Sequence, residues 1–137
     1  MTTRSATRGA RKTTGAVRAI KASRDFDAQV QMRNYSVMYF TASWCAPCRK
    51  ISPIFEELAA AQDAHVTFCK IDCDECPELC GQNQIKKMPT FQLWFGGEPV
   101  YVFEGANEDA LRDLVSRAKD MARGGAAPSD DGARARD

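Results

Sequence analysis

Two cysteines two residues apart, Cys45 and Cys48, lie within Trp44-Cys45-Ala46-Pro47-Cys48-Arg49-Lys50 and are the residues best placed to do chemistry. An apolar run, Val37-Met38-Tyr39-Phe40, precedes them and reads as a strand; Ile51 to Ala61 follows and reads as a helix. At such a junction the unpaired N–H groups and partial positive charge of the helix start favour a thiolate on Cys45. One turn of helix brings Cys48 back within disulfide reach of Cys45. Pro47 suits the first turn, where a missing N–H has no partner to lose. Three readings compete: a redox dithiol, half of a zinc site, or a structural disulfide. Zinc wants a second ligand pair, and the chain has a single histidine, His65. The strand–helix setting favours the redox dithiol.

The elements that must position this pair follow from periodicity. Val17 to Lys21 reads as a short edge strand, and Ser23 as the N-cap of a helix that turns Phe26 and Val30 inward. Ser36 to Ala42 is apolar enough to be a central buried strand. The helix after the cysteines shows Ile51, Ile54, Phe55 and Leu58 at helical spacing, with Pro53 as an expected kink. His65 to Asp72 reads as a strand and Asp74 to Gln84 as a short helix. Thr90–Phe95 and Pro99–Glu104 form a hairpin around Gly96-Gly97. Asn107 caps a last helix burying Leu111, Leu114, Val115, Ala118 and Met121, which Gly124-Gly125 stops. This order implies parallel strands joined by crossover helices, then an antiparallel pair: a mixed α/β sheet covered on both faces.

Composition sets outer bounds. The 137 residues support one domain, and 44% apolar residues can bury a core without structural disulfides. A net charge of +1 carries no bias toward nucleic acid. No apolar run approaches the roughly 20 residues of a membrane helix, and the start lacks the apolar block of a secretory signal. A reducing, cytoplasmic setting is therefore expected, in which the six cysteines need not pair. Residues 1–15 are basic and acid-free and read as a disordered extension. The same composition makes a mitochondrial segment the alternative. Residues 16–122 form the expected domain, and 123–137 a disordered tail.

Tyr39-Phe40-Thr41-Ala42-Ser43-Trp44-Cys45-Ala46-Pro47-Cys48 resembles the active-site segment of thioredoxins, and Met88-Pro89-Thr90 resembles that family's cis-proline loop. The resemblance runs from about Val17 to about Ala122. It implies the thioredoxin fold, with about five strands and four helices. It implies Cys45 as nucleophile and Cys48 as resolving thiol, joined by an active-site disulfide when oxidised, with Cys45 the more exposed. A substrate surface of Trp44, Ala46, Pro47, Met88 and a cis Pro89 goes with it. The implied partners are disulfide-containing client proteins and a thioredoxin reductase or equivalent donor, with no nucleic acid, membrane, metal or bound cofactor. Thioredoxins usually hold a buried Asp six residues before the first cysteine; this chain has Tyr39, as tryparedoxins and nucleoredoxins do. Tyrosine is neutral at pH 7 and a poor base, so slower resolution by Cys48 is expected. Lys70 matches the family's partly buried lysine, another modulating position.

Cys69, Cys73, Cys76 and Cys80 are left. Buried, idle thiols are the default reading. A metal cluster and a regulatory disulfide, such as Cys76–Cys80 at i, i+4 spacing, are alternatives. For the whole chain, a disulfide reductase is weighed against a thioredoxin-like interaction or regulatory subunit with a weakly catalytic dithiol.

Overall fold

A computed structural model describes residues 17–61 and 65–124. The expected N-terminal extension over 1–15 and residues 125–137 of the expected tail lie outside the described residues. In chain order the elements are β1 (Val17–Ile20), α1 (Ser23–Gln31), β2 (Tyr35–Thr41), α2 (Ala46–Ala60), β3 (Val66–Asp72), α3 (Pro77–Gln82), β4 (Thr90–Phe95), β5 (Glu98–Glu104) and α4 (Glu108–Ala122).

Every residue of β2 is buried, and this strand takes the centre of a five-stranded sheet ordered β1-β3-β2-β4-β5. It pairs in parallel with β3 and antiparallel with β4. β1 runs parallel to β3 at one edge, and β5 runs antiparallel to β4 at the other. Side chains alternate across a strand, so β2 feeds two cores. Val37 and Tyr39 join Phe55 of α2, Phe91 of β4, and Leu111 and Leu114 of α4 on one face. Met38 and Phe40 join Ile20, Phe26 and Val30 of α1, and Leu79 of α3 on the other. The expected mixed sheet with helices on both faces is the observed one.

Three local expectations are corrected. Ala22, not Ser23, is the N-cap of α1, and no side chain bonds its free amides. Met121 is only partly buried, packed at the margin of the α4 core. α3 begins at Pro77 rather than Asp74. Proline suits only the first helical turn, and it pushes the preceding residue out of helical geometry; Cys76 accordingly has φ −127° and ψ 60°. The residues ahead of it form a turn on Asp72, whose carbonyl accepts the Glu75 and Cys76 amides. Asn107 caps α4 as expected, its side-chain oxygen accepting the Ala110 amide at 2.9 Å. α2 runs through Pro53 as one helix.

Candidate active site

β2 ends at Thr41, and the chain crosses Ala42 to Trp44 before entering α2. The Cys45 amide donates to the Ala42 carbonyl at 3.1 Å, which folds this crossing into a tight turn. Cys45 is the N-cap of α2, and its Sγ accepts the Cys48 amide at 3.2 Å. A sulfur thus takes the place that a Ser or Asp oxygen usually fills at a helix start. The amide points at Cys45, so that position favours negative charge on its sulfur.

Cys45 and Cys48 are joined as a disulfide, with Cα atoms 5.3 Å apart. Burial hardly separates them, at 3% exposed for Cys45 and 1% for Cys48. The amide contact is what distinguishes the two sulfurs.

Around the pair, Ala46 and Pro47 are exposed, and Trp44 is 65% exposed. Trp44 therefore belongs to the surface, not the core; Trp94 instead packs edge-on against Phe26 at 5.3 Å. The Met88–Pro89 bond is cis, and the Met88 carbonyl oxygen lies 3.5 Å from Cys45 Sγ. Two bonds hold this loop: Thr90 Oγ1 donates to the Lys87 carbonyl at 2.6 Å, and the Gly105 amide donates to the Pro89 carbonyl at 2.9 Å. Lys70 is half-buried on β3 in register with Tyr39, beside a cavity of about 210 Å³ that Ile20 and Asp72 also line.

Sequence reasoning missed Asp74. Its Oδ1 accepts the Trp44 indole N–H at 3.1 Å, and its Oδ2 accepts the Ser43 hydroxyl at 3.2 Å. Arg49 Nη1 donates to the Ser43 carbonyl at 2.8 Å, closing the turn from its other side. No local pattern announces Asp74, because its partners lie 30 and 31 residues away.

The second set of cysteines divides between two of the sequence readings: two are buried thiols and two form a disulfide, though not the Cys76–Cys80 pair. Cys73 is bonded to Cys80, with Cα atoms 5.7 Å apart, while Cys69 and Cys76 are free and buried. The expected Cys76–Cys80 bond is not formed: Cys76 stands outside the helix as its N-cap, and Cys80 pairs with Cys73 instead. The Cys76 thiol instead donates to the Ile20 carbonyl at 3.6 Å. Burial pushes the Cys69 thiol up to about 12, which leaves it an inert core residue.

Fold and site together define a dithiol–disulfide exchange protein: two adjacent sulfurs at a helix start, beside a cis-proline loop. The chain belongs to the thioredoxin family, whose model matches residues 17–117. It is 42% identical over 84 residues to a thioredoxin of Ictalurus punctatus, covering 61% of this chain and 78% of that one. Thioredoxin 1 of Plasmodium falciparum is 33% identical over 101 residues, covering 74% and 96%. The solved structure of Fasciola hepatica thioredoxin matches with a TM-score of 0.69 and 34% identity, covering 74% of this chain and 98% of that one. The chain is thus a thiol–disulfide oxidoreductase acting on disulfide-containing substrates and drawing electrons from a reductase donor. The regulatory-subunit reading is not favoured.

Proposed function

We propose that Cys45 is the attacking thiolate and Cys48 the resolving thiol of a protein-disulfide reductase. Cys45 Sγ attacks one sulfur of a client disulfide and forms a mixed disulfide, while the other client sulfur leaves as a thiolate and is protonated. Cys48 then attacks Cys45, and the Cys45–Cys48 bond replaces the Cys45–client bond. The client gains two electrons and two protons, and the dithiol is oxidised. The observation that carries the assignment is the Cys48 amide aimed at Cys45 Sγ across 3.2 Å. Trp44, Ala46, Pro47, Met88 and Pro89 form the client-facing surface, with the Met88 backbone pairing to the client chain. Lys70 adds positive charge on the sheet face that carries Tyr39. An NADPH-dependent reductase restores the dithiol, in the cytosol.

Three measurements test this. Cys48→Ser protein incubated with a disulfide client accumulates adducts on Cys45; adducts on another cysteine overturn the assignment. Insulin reduction by dithiothreitol is accelerated by the wild type and not by Cys45→Ser. Fractionation places the protein in the cytosol, and a mitochondrial signal overturns that compartment.

A further inference from the structure

Tyr39 stands where the family usually carries an acid, and its surroundings define a different device. The ring is fully buried, stacked on Phe91 at 4.8 Å and tilted against Phe55 at 4.9 Å. Its hydroxyl lies 2.9 Å from the carbonyl oxygen of Cys48 and 2.7 Å from Oγ of Ser52. A phenol has one proton to give, and a carbonyl can only accept. Tyr39 therefore donates to Cys48, and the Ser52 hydroxyl donates to Tyr39. Proton counting fixes the direction of both bonds. Ser52 is one helical turn beyond Cys48, where a serine hydroxyl ordinarily folds back onto the i−4 carbonyl. Here the tyrosine has taken that acceptor, and the serine holds the tyrosine.

Both groups are neutral. Burial pushes the Tyr39 phenol above its usual value, outweighing the Ser52 and Thr41 hydroxyls that pull it down, and the Glu56 carboxylate adds a smaller rise, so it keeps its proton through the physiological range. The charged groups on neighbouring elements are Glu56 on α2 and Lys70, which is paired with Tyr39 in strand register.

We propose that Ser52 and Tyr39 are positioning residues for Cys48: a neutral, two-bond clamp on the first turn of α2 that keeps the second sulfur in line with the first for resolution. This deepens the dithiol reading above and rests on it. The clamp exchanges no proton with the reactants. When the Cys48 thiol attacks the mixed disulfide, the Cys45–Cys48 bond forms and the Cys45–client bond breaks. The client sulfur leaves with the bonding pair and takes up the proton that Cys48 releases. Ser52 and Tyr39 act only through the backbone of Cys48.

Ellman's reagent separates the two steps in one trace. In Cys73→Ser/Cys80→Ser protein, which lacks the second reducible pair, the reduced form releases one chromophore as the attacking thiol forms the mixed disulfide, and a second as the other thiol resolves it. Ser52→Ala slows the second phase about fivefold, the ratio given by one neutral hydrogen bond of ~1 kcal/mol. It leaves the first phase at the rate of the parent protein. Tyr39→Phe, which loses both bonds, slows the second phase further. Ser52→Thr restores it, and the slowing is the same from about pH 6 to about pH 9, since no member of the clamp titrates there. An unchanged second phase in Ser52→Ala, or equal slowing of both phases, overturns the clamp while leaving the dithiol reading intact. A Cys73→Ser/Cys80→Ser parent that releases only one chromophore overturns the dithiol reading and the clamp with it.

Discussion

The indole N–H of Trp44 donates to Asp74 Oδ1 across 3.1 Å, which ties the exposed aromatic beside the dithiol to the turn that follows β3. The same carboxylate takes the Ser43 hydroxyl at 3.2 Å. Between them these bonds hold the turn before Cys45 against the turn that follows the neighbouring strand β3. Asp74→Ala is expected to raise KM for a protein client about fivefold, the worth of one hydrogen bond of ~1 kcal/mol, with kcat little changed. Steady-state insulin reduction measures both parameters. A fall in kcat with unchanged KM would tie Asp74 to the sulfur chemistry instead.

Cys45 receives the Cys48 amide at the start of α2. In the reduced protein its alkylation rate should therefore titrate below the ~8.5 of a free thiol. Iodoacetamide kinetics against pH, with peptide mapping, gives the midpoint. Titration of Cys45 like an unstructured thiol would sink the nucleophile assignment.

Cys69 is fully buried, and burial pushes its thiol up to about 12 from the ~8.5 of a free thiol. The sign follows from that rise. The unfolded chain loses this proton from about pH 9, whereas the folded chain keeps it, so the contribution of Cys69 to stability is lost as pH rises toward 12. Urea midpoints should fall over that window, and the fall should be shallower in Cys69→Ala. An equal slope in the variant would show that other groups govern alkaline unfolding.

The Cys73–Cys80 bond closes a loop with a sequence separation of 7. On chain-entropy grounds a loop that short stabilises by about 2.5 kcal/mol. Oxidised Cys73→Ser/Cys80→Ser protein should lose about that much in urea unfolding, with the Cys45 alkylation profile unmoved. A shift in that profile would mean that the second bridge reaches the first.

Gln84 has φ +57°, a left-handed conformation that costs a side-chain-bearing residue roughly 1 kcal/mol and glycine almost nothing. It ends α3, whose last turn is closed by the Ile85 amide on the Cys80 carbonyl at 2.9 Å. Gln84→Gly should raise stability by about 0.5–1 kcal/mol. Thermal unfolding that moves downward would show that the side chain contributes something its backbone strain hides.

What could be read along the chain was whatever a few neighbouring residues decide. Val37 to Phe40 is apolar at every position, which only a central strand satisfies, and Asn107 with Leu111, Leu114 and Val115 spells a capped, one-sided helix. The cysteine pair, Pro47 and the strand–helix boundary named the dithiol for the same reason: they interact within one helical turn. Pro77 set the true start of α3 by an equally local rule, though the length of the polar stretch obscured it. The register of β2 on β3, with Thr41 beside Asp72, was decided only in three dimensions. That register delivers Asp74 to Trp44. The helix–sheet packing sets Tyr39 under the Cys48 carbonyl with Ser52 beside it, and the turn on Asp72 swings Cys73 toward Cys80. Such contacts depend on how whole elements align, and residue type alone carries no record of that alignment.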